Sequence, residues 1–427
     1  MSVDRKSIPR IQIPKLSVIP EIERSKLDND LTLFLIRMGH EDLLRLDFVF
    51  EAGQVFENKP LQASTTNMML LEGSKNHSAE EINRLLDFYG TFPNLITEKD
   101  TAGFSIIFMN RHLEKITSLC HEILFEPIFP NKEFSILINN RLQRYLVNME
   151  KVQTIARDMF FESLFGTGHP YGRQVVRTDF ENLSVDDLEL FHRMLYNPGN
   201  MAIIASGKIH DSLPEALNRY FGAYNQGLTG SEPVIRPGIH LQDPRRISMK
   251  KEGAIQSAIR IGKATINKTH IDYPGLKVVN TILGGYFGSR LMKNIREEKG
   301  YTYGIHSALA SLRDSGYISV STEVGSNHAK SALQEVYKEI RSLQNEPVGT
   351  DELDIVRGYM MGELIRLFDG PFSTADTFRS VWEFGLGTDY FPEFEKKIKT
   401  IMPDEIIHLA RTYYNIEQFH EIIAGPE

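Results

Sequence analysis

The strongest constraint on how this chain folds is that its second half restates its first. Leu183-Ser184-Val185-Asp186-Asp187 is echoed by Ile401-Met402-Pro403-Asp404-Glu405, 218 positions later (401 against 183). Tyr196-Asn197 and Tyr414-Asn415 share that offset, and so do Gly207 and Gly425. Gly103-Phe104 is matched by Gly316-Tyr317, each opening a strand that precedes an amphipathic helix. One such match could be chance. Four matches, in order and near one offset, argue for two homologous domains of α+β class, each a mixed, mostly antiparallel sheet packed with helices. At 427 residues the chain is also too long for a single core. The expected division is 1–223, a linker 224–253, and 254–427. The linker rests on Gly227, Gly230, Pro233, Pro237, Gly238 and Pro244, which interrupt any sustained periodicity.

Local patterns fill in the halves. Leu31 to Met38 and Leu43 to Phe50 read as strands. In the second, Leu44, Leu46, Phe48 and Phe50 alternate with Leu43, Arg45, Asp47 and Val49, which predicts one buried and one open face. A helix over Ala63 to Glu72 stops at Gly73. Ser78-Ala79-Glu80-Glu81 opens another as a capping box. Thr101 to Met109 is a strand, His112 to Phe125 a helix, and Asn131 to about Phe165 one long helical stretch. A helix capped at Ser184 runs to Leu195, and Met201 to Ser206 is a strand. The second half reads as strands Ala258 to Ile266, Gly316 to Val324 and His420 to Ala424. Its helices are His328 to Leu343, Asp351 to Phe368, Ala375 to Phe384 and Asp404 to Tyr413.

Composition narrows the function classes. A net charge of -8 argues against general nucleic-acid binding, which needs a basic footprint. The single Cys120 excludes an internal disulfide and a cysteine-rich metal cluster. No apolar run approaches the ~20 residues of a membrane helix, and the charged, Pro-broken start lacks a signal core. The expectation is a cytoplasmic protein that binds neither nucleic acid nor membrane. A chain trimmed of its signal peptide would read the same, which leaves the periplasm open.

Among 13 histidines none has another three or four positions away, so neither order of zincin motif is present. No G-x-S-x-G elbow occurs, although a Ser-His-Asp arrangement stays open at this level. Gly284-Gly285-Tyr286-Phe287-Gly288-Ser289 lacks the lysine and spacing of a phosphate loop, and reads as the turn before a short helix. That helix ends at Gly300, and a strand is expected to start at once, with Tyr301 and Tyr303 on one face beside Arg296. Taken singly, Arg296 reads as a surface arginine pairing with Glu297 or Glu298, and Tyr303 as a strand tyrosine packed on a sheet.

Four stretches together resemble the pitrilysin/insulinase-type (inverted zincin) zinc peptidases. They are Phe50-Glu51-Ala52-Gly53, Met69-Leu70-Leu71-Glu72-Gly73-Ser74, Leu164 to Gly172, and Phe287 to Leu291 continuing through Arg296 to Tyr303. The resemblance implies a half-clam of two related domains, with two such halves enclosing a peptide chamber. Active members carry H-x-x-E-H just before the Met-Leu-Leu-Glu-Gly-Ser segment. Here those positions read Ser64-Thr65-Thr66-Asn67-Met68, so Ser64 and Met68 replace two zinc ligands and Asn67 the catalytic base. A third ligand, a glutamate, should fall near Arg141 to Val147, but no acidic residue lies between Glu133 and Glu150. No zinc is therefore expected on this chain.

Arg296 and Tyr303 keep the seven-residue spacing of a family pair that binds substrate backbone and stabilises an oxyanion. The resemblance thus implies a non-catalytic subunit of a heterodimeric zinc peptidase, with zinc in the partner and peptides as substrates. The alternative is a homodimeric peptide-binding scaffold, and a weaker third is an enzyme with unfamiliar ligands. His169 is expected in a structural loop, Arg290 to pin the turn, and Met68 to Leu71 to pack in the core. Lys250-Lys251 with Arg245-Arg246 reads as a solvated linker edge.

Overall fold

A computed structural model describes residues 19–224 and 236–426. The Pro-punctuated lead up to Ser17 and the linker residues Gly227, Gly230 and Pro233 lie outside the described residues.

The first sheet has six strands: β1 (Glu23–Lys26), β2 (Thr32–Arg37), β3 (Leu43–Phe50), β4 (Phe92–Thr97), β5 (Ala102–Met109) and β6 (Met201–Gly207). The second has five: β7 (Arg246–Lys250), β8 (Gln256–Thr265), β9 (Ile305–Leu312), β10 (Ser315–Gly325) and β11 (His420–Gly425). Their orders, β1-β2-β6-β3-β5-β4 and β7-β11-β8-β10-β9, are the same topology once β1 is set aside. In each, one parallel pair (β2 with β6, β7 with β11) sits beside antiparallel neighbours. The expected fold class is borne out: two mixed, mostly antiparallel sheets with helices.

The repeated residues occupy equivalent places. Tyr196 and Tyr414 are both buried, and each donates its hydroxyl to an asparagine Oδ1 at 3.2 Å, Asn67 and Asn280 respectively. Those asparagines bond in turn to sheet carbonyls, Asn67 to Ile96 (2.9 Å) and Gly103 (3.2 Å), Asn280 to Ser307 (3.1 Å). A buried amide satisfied at both ends ties helix to sheet in each half. Gly207 closes β6 with φ +124°, and a Cβ there would stand 2.4 Å from the Leu43 carbonyl oxygen. Only glycine fits.

The structure departs from expectation in four places. Asn131 to Phe165 is two helices, Asn131–Met149 and Val152–Phe165, separated by Lys151 in extended conformation (φ -93°, ψ 121°). Within the expected linker, Arg246–Lys250 is a strand, because β11 offers it a free edge to pair with in parallel. The strand after Gly300 begins only at Ile305. Finally, β3 is buried on both faces rather than one.

The last point has a clear cause. Helix Pro371–Trp382, from the second half, lies on the first sheet, where Ala375 and Phe378 pack with Phe34, Ile36, Val49, Ala202 and Ile204. Arg45 is thereby enclosed, pairing with Asp47 at 2.8 Å and with Asp376 of the covering helix. The exchange is reciprocal. Helix Val152–Phe165, from the first half, lies on the second sheet, with Val152, Ile155, Ala156 and Phe160 against Ala258, Ile422 and Ala424. The two helices start 219 positions apart (371 against 152), close to the repeat offset. Each half completes the other's core.

Candidate functional site

Ser64, Met68 and one of the family-resembling stretches, at Pro170–Gly172, line a cleft of about 650 Å³. Its walls are Ser64 and Met68 of helix Gln62–Met69, Arg141 and Arg144 of helix Asn131–Met149, Arg157 of helix Val152–Phe165, and the loop at Pro170–Gly172. The break at Lys151 is what lets one helix line this cleft and the next turn onto the second sheet.

Beside Ser64 and Thr65 the structure puts a guanidinium. Arg141 donates to Ser64 Oγ at 2.7 Å and to Thr65 Oγ1 at 2.5 Å. Among the described residues it has no carboxylate within ion-pair distance, and burial lowers its pKa to about 10. Asn67, where the family base would stand, is 1% exposed and held by Tyr196, Ile96 and Gly103. It forms the same helix-to-sheet clamp as Asn280, and its amide serves packing. A hydroxyl, a thioether and a guanidinium do not make a zinc site, which is built from thiolate, imidazole and carboxylate donors. Among the described residues no group of three or more His, Cys, Asp or Glu could hold a metal.

An adjoining cleft of about 400 Å³ is bounded by Tyr303, His306, Arg260 and again by Thr154 and Arg157, which line both. Tyr303 stands at its rim, 93% exposed. Thr302 explains the presentation. Its hydroxyl donates to the Glu323 carbonyl at 2.6 Å and accepts the Gly304 N–H at 3.1 Å, pinning the loop and turning its neighbour outward. Tyr301 does not share that face; its ring stacks on His328 at 4.6 Å.

Arg296 sits in a helix, Met292–Glu298, closed by a wide turn in which the Lys299 N–H reaches the Asn294 carbonyl at 2.9 Å. Its guanidinium lies over the Phe287 ring at 4.5 Å. Neither ordinary fate is realised: among the described residues Arg296 makes no ion pair, and Tyr303 does not pack on a sheet. Among the described residues no hydrogen bond or cation–π contact joins the two, and Arg296 does not line the cleft that Tyr303 rims. Arg290 pins the preceding turn through a two-pronged pair with Glu352, both distances 2.8 Å. His169 is a loop residue, accepting the Tyr171 N–H at 3.1 Å and facing the Pro237 carbonyl at 3.2 Å.

Sequence reasoning missed Arg141 and Arg260 as site residues. Arg141 had a signal: it opens the segment where the third zinc ligand was sought. Arg260 had none, because its position in β8 becomes a cleft wall only when helix Val152–Phe165 crosses over.

Two copies of one α+β unit flank a cleft lined by Ser64, Met68 and Arg141. Known proteins share this fold. Residues 182–359 match the family described as Peptidase M16 inactive domain. The uncharacterized zinc protease YmxG of Bacillus subtilis is 24% identical over 301 residues, 70% of this chain and 72% of that protein. An uncharacterized zinc protease of Rickettsia felis is 22% identical over 414 residues, 94% and 97%. A peptidase M16 inactive domain from Pseudomonas fluorescens superposes with TM-score 0.87 at 19% identity, over 95% and 98% of the two chains. A protease from Helicobacter pylori gives 0.88 at 16% identity, over 96% and 100%. The resemblance to the pitrilysin-type (M16) peptidases is thus borne out.

Proposed function

We propose that this chain is the non-catalytic, substrate-binding subunit of a two-chain zinc peptidase acting on peptides. The observation that carries the reading is Arg141, whose guanidinium bonds Ser64 and Thr65 where relatives with H-x-x-E-H would hold zinc. A partner supplies the metal and the base; this chain supplies part of the chamber wall with Arg296 and Tyr303. A guanidinium with no carboxylate and an outward phenol are donors available to a peptide carbonyl or a developing oxyanion. The division of the chain into 1–223, linker and 254–427 belongs to the same reading.

The test is peptide cleavage by this chain alone, by an H-x-x-E-H homologue encoded in the same genome alone, and by the mixture. Activity is expected only in the mixture. There, Arg296→Ala or Tyr303→Phe should lower kcat about a hundredfold, the scale of losing an oxyanion donor. Cleavage by this chain alone, or full activity of both variants, would sink the proposal. A stable homodimer that binds peptide and ignores the zinc chain would mark a scaffold instead.

A further inference from the structure

The larger cleft is cationic in a chain whose net charge is -8. Five basic residues line it: Lys99, Arg141, Arg144, Arg157 and Arg173. Its two acids are already taken, Glu57 by Arg173 at 3.0 Å and Asp158 by Arg157 at 2.8 Å. Lys99, Arg141 and Arg144 are left without a carboxylate in ion-pair distance among the described residues. The adjoining cleft repeats the feature. Arg260 lies against Phe160 and Phe161, at 5.7 and 5.9 Å from the ring centres, and its Nη1 is buried with no hydrogen-bond partner.

Desolvated cations without counter-ions cost stability, and a fold normally pairs or excludes them. Lys99 and Arg141 are such half-buried cations, and with the exposed Arg144 they line one cleft as an anion receptor waiting for its ligand. Phe161, beside Lys99 and Arg260, and Met68 and Tyr145 give that cleft apolar wall as well. A small inorganic anion would leave this surface unused. A peptide that bears carboxylates would use both parts, and guanidinium forks match carboxylate oxygens in pairs.

We propose that the joined clefts are a binding site for carboxylate-bearing peptide, with Arg141 at the former metal position as the carboxylate anchor and Lys99, Arg144 and Arg260 as flanking cations. The inference rests on the peptide-binding reading above and names its ligand class, but it is a property of this chain alone.

Binding by the isolated full-length chain should be measured by calorimetry with three probes. These are a hexaglutamate with amidated C-terminus, a neutral hexapeptide with a free C-terminus, and the same neutral peptide blocked at both ends. Either carboxylate probe should bind at least tenfold tighter than the blocked one. Preference for the first identifies side-chain carboxylates as the ligand, and preference for the second the terminal carboxylate. Arg141→Met should abolish that preference. The variant removes a desolvated charge and keeps an apolar stem, so its melting temperature should hold or rise, which separates lost binding from lost folding. Equal binding of all three probes, or an unchanged preference in Arg141→Met, would overturn the proposal. Selective binding without cleavage by the mixed subunits would leave this site standing and remove the peptidase reading; cleavage without selectivity would do the reverse.

Discussion

At the scale of single residues, the same chemistry means different things according to what covers it. Arg45 and Asp47 alternate with apolar residues in β3 as a solvent-facing pair would, yet they are 8% and 2% exposed beneath helix Pro371–Trp382. Removing one member of such a pair leaves an uncompensated buried charge. Arg45→Leu should therefore lose roughly 3–5 kcal/mol in urea unfolding, and adding Asp47→Asn should recover part of it. His192 makes a second prediction. Its Nε2–H donates to the Leu124 carbonyl at 2.7 Å, and burial pulls its pKa from 6.5 to about 4. The unfolded chain then binds the proton more readily than the folded one. Stability is full above the unfolded pKa and falls as pH drops through this window, by on the order of 3 kcal/mol. Denaturant midpoints of wild type and His192→Gln measured across the window check this; the variant should show a flatter slope. Asn67 was legible as a departure from the resembled motif, but not as half of a buried clamp, because Tyr196 comes from 129 positions away.

Among elements, those whose ends carry local chemistry were legible. The helix after Ser78 has the expected capping box, with both bonds made. The helix after Ser184 has one too, and β3 and β6 start at Leu43 and Met201, as expected. The break at Glu150-Lys151 was not legible, since no glycine or proline marks it. It is imposed by tertiary packing, one helix facing the cleft and the next the second sheet. The strand β9 was expected to start four residues too early, because Thr302 diverts the loop through bonds to Gly304 and Glu323 that no local pattern announces. The exchanged helices give the prediction at this scale. Phe378, 6% exposed, packs edge-on against Phe34 at 4.8 Å. Phe378→Ala should cost about 3–5 kcal/mol, as a large core truncation does. Hydrogen exchange should show the loss in β2 and β6 of the first sheet, although the mutation lies in the second half.

For the whole molecule, reciprocal helix exchange makes the halves interdependent. Ion pairs reinforce the join: Arg236 reaches Asp314 at 2.7 Å and also bonds Asp100, while Arg313 meets Glu51 at 2.6 Å. A protease site placed between Tyr224 and Arg236 and then cut should leave two fragments that co-elute in size exclusion. Separate elution would contradict this. The sequence by itself determined that there are two copies of one α+β unit, and that Ser64, Asn67 and Met68 stand where the resemblance would put a metal motif. Both are written in local patterns and in the spacing between them. Only the tertiary structure decided that each copy lends a helix to the other, and that Ser64 meets Arg141 beside further cations that have no ion pair among the described residues. Such facts depend on which distant surfaces exclude water from one another, and a local apolar pattern does not name the distant partner that covers it.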